Sequence, residues 1–331
     1  MKKIIVLLLT AALLLGACTA KEITTEYAVP GYRAITQIDR CVTEPDESAV
    51  MTDADRDGYT ALMEGMLARE DVVTPGGDGD SDRIDFYLDL LRRSPYGFFV
   101  KTAVRDGQSV RFTYAYAASE QQKMLEEIDS AFLEIANTDA QPDDNELDVI
   151  LKIYSAAAHR IRYDSEREDN KQLGSPLFDY PGDEVYKALT TGESLCYGFA
   201  YVMRFALLQR GIDAFCVYGE CRAHNMGHEW VIFRYDGRFF HCDPAWDRSG
   251  EGYAKLLHFG KTDAERAADT IVPKEFASYH EPEYGKVVCD DDRFSIFRDI
   301  IRFTYVKDHR YYIEDRGGKG AIFDSQTFTI E

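Results

Sequence analysis

From Thr52 to Glu70 the apolar positions Tyr59, Leu62, Met63, Met66 and Leu67 recur every three or four residues. That is the period of one buried helix face, and Thr52 stands where a side-chain oxygen can cap the first turn. A Gly- and Asp-rich loop over 76–81 separates this helix from a shorter one over Ile84–Leu91. The period then changes. Phe98–Val104 and Ser109–Tyr116 alternate about Asp106-Gly107, which predicts a β-hairpin. Two longer helices are expected over 120–135 and 146–162, and the acidic loop Asp139–Asn145 between them marks a domain boundary. Beyond it the pattern predicts a helix over Leu195–Gln209 ended by Gly211, then strands over Ala214–Tyr218, Glu229–Tyr235 and Phe239–Cys242, the last two joined at Asp236-Gly237. A short acidic helix near Asp263–Ala268 follows. The aromatic alternation of Phe303, Tyr305, Tyr311 and Tyr312 predicts a β-rich tail.

Composition narrows the class. Of 331 residues 45% are apolar and 29% charged, which excludes a disordered or fibrous chain. The net charge of −20 argues against a nucleic-acid partner, because phosphate binding needs a basic face. At the N-terminus Lys2 and Lys3 precede an apolar run that is too short to span a bilayer and has the build of an export signal. The run ends in Leu15-Gly16-Ala17-Cys18, which resembles a bacterial lipobox. That resemblance implies removal of residues 1–17, lipidation of Cys18, and an extracytoplasmic protein anchored to the bacterial cell membrane by lipid. A linker and an N-terminal α+β region would occupy 18–140.

One motif competes with the first helix. Asp53, Asp55, Asp57, Gly58 and Glu64 fit the spacing D-x-D-x-D-G-x5-E of a calcium-binding loop. Thr60 stands where such loops carry an aliphatic residue, and the segment after Pro45 makes a poor entering helix. Acids in the first turn of an amphipathic helix explain the same residues, since they complement the helix dipole.

The densest chemical signal lies between Gly192 and Asp247. Cys196 opens an apolar helix, where the dipole and the unpaired first-turn amides are expected to lower the thiol pKa and to bind a developing oxyanion. His228 precedes one strand, and Asp243 follows the next strand across a hairpin, so the two are expected at the same sheet end. A nucleophile, a base and an orienting carboxylate are thus available.

The motifs Cys196-x-Gly-Phe-Ala, His228-x-Trp and Asp243-Pro-x-Trp-Asp resemble those of the transglutaminase-like superfamily of papain-type thiol enzymes. The resemblance implies an α+β core over 141–270, in which the helix bearing Cys packs on an antiparallel sheet bearing His and Asp, followed by a C-terminal β-rich extension over 271–331. It further implies that Cys196 attacks a protein or peptide amide, His228 relays the proton and Asp243 orients His228. The thioester would then pass to water, as in a protease or deamidase, or to an amine, as in a cross-linker. Tyr163 looks like the aromatic of a Tyr-Asp pair upstream of the Cys and would supply a further oxyanion donor. Trp230 and Trp246 are expected to line the cleft. The chemistry requires no metal and no cofactor.

Alternatives remain at the residue level. His241 reads as structural and His224 as an exposed bystander. Cys221, His224, His228 and Cys242 offer two thiols and two imidazoles for zinc, which would make the chain a zinc-stabilised surface-binding lipoprotein. A non-catalytic binding protein on the same fold is a further reading. Disulfides Cys216–Cys242 or Cys41–Cys289 are compatible with an exported chain.

Overall fold

The computed structural model describes residues 33–42, 52–76, 81–166, 181–223, 226–249, 251–271 and 287–331. Helix α1 (Asp53–Leu67) begins with a reciprocal cap. The Thr52 hydroxyl accepts from the Asp55 N–H, and the Asp55 carboxylate accepts from the Thr52 N–H. The same carboxylate is bound by Arg83 and, at 3.1 Å, by the Tyr87 hydroxyl, both from α2 (Ser81–Arg93). The calcium reading fails here: Asp55 is committed to a cap and an ion pair, and its neighbours form a helical turn rather than a cation loop. Gly58 is needed at the crossing, because a Cβ there would meet the Tyr87 ring at 2.6 Å.

Strands β1 (Val72–Val73), β2 (Val100–Asp106) and β3 (Ser109–Tyr114) form a three-stranded sheet ordered β1-β3-β2. Asp106 pairs with Ser109, so the hairpin turns at Gly107-Gln108, one residue later than the sequence suggests, with Gly107 supplying the left-handed φ of +65°. Helices α3 (Ala118–Ala136) and α4 (Glu146–Arg160) follow. Helix α4 stops short of the expected 162 because Arg162–Tyr163 is strand β4, paired in parallel with β5 (Glu193–Ser194). Helix α5 (Pro181–Thr191) leads through β5 into α6 (Cys196–Gln209). The second sheet is ordered β8-β7-β6-β9 and uses β6 (Ala214–Cys221), β7 (Met226–Tyr235), β8 (Arg238–Cys242) and β9 (Thr270–Ile271). Asp236 and Gly237 have φ of +49° and +69°, the paired left-handed conformations whose twist suits a two-residue hairpin. Helix α7 (Asp263–Asp269) runs from the far side of this sheet into β9.

Both α3 and α4 pack on α6, so the acidic loop between them does not divide the hydrophobic core. One apolar cluster extends from Leu62 and Phe99 through Phe132, Phe205 and Phe233 to Phe294 and Phe323. A smaller cluster of Phe215, Val217, Trp230, Ile232 and Cys289 covers the other face of the second sheet. The strands therefore alternate between two apolar environments. Cys216, Cys242 and Cys289 are not disulfide-bonded, so neither disulfide suggested by the sequence forms. No helix among the described residues is long and apolar enough to cross a membrane.

The tail is β structure, as expected: β10 (Ile300–Lys307), β11 (Arg310–Asp315), β12 (Gly320–Asp324) and β13 (Thr329–Ile330) form an antiparallel meander. It docks on α4 through the buried Asp148, whose carboxylate receives the Tyr311 hydroxyl at 2.7 Å, the Ser325 hydroxyl, and His309 Nδ1 at 2.5 Å. Burial would lower the His309 pKa, but the hydrogen bond and charge of Asp148, with Asp143 and Asp144 beyond it, raise it overall. A raised folded-state pKa contributes stability below the unfolded value of about 6.5 and loses it as pH rises through the folded value. The melting temperature of His309→Gln is accordingly expected to fall below that of the parent chain most in mildly acidic buffer and least in alkaline buffer. A pH-independent gap would contradict this assignment.

Candidate active site

The cysteine loop is built from below. Glu184 of α5 is buried and accepts from the Ser194 hydroxyl at 2.7 Å and from the Leu195 N–H at 3.4 Å, which fixes β5 and the entry to α6. Gly198, the glycine of Cys-x-Gly-Phe-Ala, packs directly on Ser194, and a Cβ would overlap that side chain. Cys196 is thereby held in the first turn of α6, 7% exposed. Its sulfur is hydrogen-bonded by the backbone N–H groups of Tyr197 and of Glu229 on β7, so the thiol meets the sheet one residue beyond His228.

The expected depression of the thiol pKa is not what the structure gives. Burial pushes Cys196 up to about 12, and the carboxylates of Glu229 and Asp243 add to the rise. Desolvation of the thiolate outweighs the helix dipole and the two amides.

His228 and Asp243 are brought together directly. Nε2 of His228 lies 2.6 Å from Asp243 Oδ2, with both residues buried. The Asp-Pro-x-Trp motif explains how Asp243 is aimed: its Oδ1 accepts the Trp246 N–H at 3.1 Å, closing a tight turn on its own chain. That turn lays the Trp246 indole flat on the His228 ring, with centroids 4.5 Å apart and planes within 16°. Burial opposes the Asp243 charge, but His228 and Arg266 hold the carboxyl well below the ordinary carboxylate range. With Nε2 committed to Asp243, Nδ1 is the nitrogen left to take a proton from sulfur. Among the described residues the Cys196 sulfur makes no hydrogen bond to the imidazole.

Of the two cleft residues predicted, only Trp246 is partly exposed. Trp230 is fully buried and lines no cleft; its indole N–H donates to His241 Nδ1 at 2.9 Å. His241 is structural, as read from the sequence, and its Nε2 lies 2.9 Å from Asp263 Oδ1. His241, Asp263 and Cys289 stand close enough to suggest a metal set. However, Nδ1 accepts a hydrogen bond, so Nε2 of the neutral ring keeps its proton and has no lone pair for an ion. The zinc set fails too. Cys242 donates to Met203 Sδ at 3.7 Å while His228 is bonded to Asp243, and His224 lies outside the described residues.

Tyr163 pairs with Ser194 in the parallel β4–β5 ladder, two positions ahead of Cys196, with the Arg248 guanidinium 4.4 Å above its ring. Cys18 lies outside the described residues.

Three features of the site escaped the sequence reading. Arg266 of α7 donates to Asp243 Oδ2 at 2.9 Å from a fully enclosed position. Glu184 supports the cysteine loop. Asp247, beneath Asp243, accepts from the Tyr154 hydroxyl at 2.5 Å and the His258 N–H at 2.8 Å, and burial pushes it up to about 7. In the sequence, Asp263-Ala-Glu-Arg266 has the look of a solvated charged turn, and only the second Asp of Asp-Pro-x-Trp-Asp carried any signal.

A helix-borne Cys facing an antiparallel sheet that carries a bonded His–Asp pair is the framework expected of a transglutaminase-like core. Residues 134–244 match the family model of the Transglutaminase-like superfamily, so this segment of the chain is similar to a transglutaminase-like core domain. A solved crystal structure of a TGase shares 16% identity over 45% of this chain and 44% of its own, with a TM-score of 0.33, so the chain spans less than half of that structure's length. No curated protein matches the chain.

Proposed function

We propose that the chain is a cell-surface thiol enzyme that takes acyl groups from protein or peptide amides through a thioester on Cys196. The observation that carries this is the buried His228–Asp243 pair at 2.6 Å, at the strand end that meets the cysteine helix. In the reaction Cys196 Sγ adds to the amide carbonyl while its proton passes to His228 Nδ1. The C–N bond breaks and His228 returns the proton to the departing ammonia or amine, leaving a thioester. Water or an amine then adds, giving up its proton to His228, and the thiol re-forms. Amides of the first turn of α6, with Tyr163 beside them, would receive the oxyanion. Because burial favours the neutral thiol of Cys196, its proton passes to His228 as the sulfur attacks. The lipobox-like segment supports attachment at Cys18 outside the cell membrane.

The second reading, a binding protein whose site is unused, is favoured by the burial of Cys196 and by the missing sulfur–imidazole hydrogen bond. Hydrogen bonds of this kind are often long before substrate binds, so reactivity decides between the two. The test is the rate of iodoacetamide labelling at Cys196 against pH, located by peptide mass spectrometry, in the parent chain and in His228→Ala. Labelling of Cys196 at neutral pH that is slowed by loss of His228 is expected, since a thiol raised by burial needs the imidazole as its base. Equal rates in both proteins would sink the enzyme reading in favour of the binding protein.

A further inference from the structure

Arg266 belongs to none of the three motifs, yet it is 3% exposed and shares Asp243 Oδ2 with His228. Its guanidinium lies 4.2 Å from the Trp230 ring centroid and 4.5 Å from that of Trp246, a cation held between the two tryptophans of the chain. Both plates are fixed. Trp246 is pinned by its N–H to Asp243, and Trp230 by its indole N–H to His241, whose other nitrogen is bonded to Asp263 at the head of Arg266's own helix. That helix is locked by the Thr262/Glu265 cap and by Arg298, which binds Glu265 at 2.7 Å together with the carbonyls of Phe259 and Gly260. Among the described residues the Arg266 Nε has no hydrogen-bond partner, so hydrogen bonding there does not by itself account for burying this side chain.

We propose that Arg266 is a positioning residue for the thiol chemistry. Clamped between Trp230 and Trp246 and bonded to the oxygen that His228 uses, it sets the plane of the Asp243–His228 pair and limits how firmly that pair holds a proton. The inference rests on the thiol-enzyme reading above and deepens it. A guanidinium does not give up its charge, so the imidazolium formed when Cys196 loses its proton meets a carboxylate already partly neutralised. The charge beside the shared oxygen offsets part of the carboxylate's pull on the transferred proton, which favours its return to the leaving amine.

The groups facing this pair come from every side. Cys196 is on α6 and Glu229 on β7; Asp247 lies in the loop after β8. Arg266 is on α7, and His258, edge-on to Trp246 at 5.0 Å and lowered by burial to about 4, lies in the loop before it. Within this set Arg266 is the cation bonded to the shared oxygen. A lysine would restore the charge without the flat group that fills the slot between the indoles.

The experiment follows iodoacetamide labelling of Cys196 from acid to alkaline pH in the parent chain, His228→Ala, Arg266→Gln and Arg266→Lys, with tryptophan fluorescence as the check that the clamp region stays folded. A parent rate that ignores His228 would refute the thiol-enzyme reading itself, and the Arg266 inference with it. Given a His228-dependent rate, Arg266→Gln is expected to move the midpoint of the labelling pH profile upward by about one pH unit. Arg266→Lys is expected to keep the midpoint but label several-fold more slowly. An unmoved midpoint in folded Arg266→Gln, or a parental rate in Arg266→Lys, overturns the proposal. Should Arg266→Gln fail to fold, the Arg266→Lys rate decides alone.

Discussion

Asp243→Asn is expected to be the most damaging isosteric change in the chain, because two buried donors converge on one oxygen of that carboxylate. His228 Nε2 and Arg266 Nη2 approach Oδ2 at 2.6 and 2.9 Å, and all three residues are buried. An amide in that place either turns its NH2 toward the two donors or leaves Arg266 as an uncompensated buried charge. Breaking a buried pair from one side costs about 3–5 kcal/mol. Amide turnover is expected to fall about 10⁴-fold, since the imidazole loses both its tautomer and its aim. Chemical denaturation and turnover measured together separate the two effects in the double variant Asp243→Asn/Arg266→Met. Removing the stranded cation is expected to recover part of the stability and none of the activity. If the double variant is no more stable than Asp243→Asn, the buried-charge explanation is wrong.

Phe259→Ala carries the second large effect. Phe259 is fully buried where the sheet, α4 and the C-terminal segment meet, with ring centroids 5.0 Å from Tyr154, 5.3 Å from Phe233 and 5.2 Å from Phe294. A void there cannot collapse from one side, because Gly260 next to it (φ +64°) already lies against the Phe294 ring. The loss is expected to be about 3–5 kcal/mol by urea denaturation, against less than about 1.5 kcal/mol for Phe259→Leu. Arg298 binds the carbonyls of Phe259 and Gly260 as well as Glu265 of α7, so the same change is expected to loosen Arg266 and slow Cys196 labelling. A stability loss with an unaltered labelling rate would show that the C-terminal segment does not support the site.

Much of the architecture was legible in the chain because it follows from local rules. The cap at Thr52, the Asp236-Gly237 turn, the helix beginning at Cys196 and the alternating tail depend on residues within a few positions of one another, and each forms where its pattern places it. The His228–Asp243 pairing was legible as well, since a two-residue turn leaves little freedom in which strand ends meet.

What only the tertiary structure decided involves long sequence separation or competition between opposing effects. Asp55 could not be assigned between a calcium loop and a helix cap until Arg83 and Tyr87 arrived from another helix. Trp230 and Trp246 occupy similar positions in their motifs, yet one is sealed beneath Arg266 and the other stacks on His228, a difference set by where α7 packs. The thiol pKa turned on burial. The start of a helix is visible in sequence and favours the thiolate, but the desolvation that overrides it comes from the strand laid against Cys196. Sequence by itself determined which side chains can do chemistry and which local elements carry them. Folding decided which charges are buried together, because burial depends on neighbours that no local pattern records.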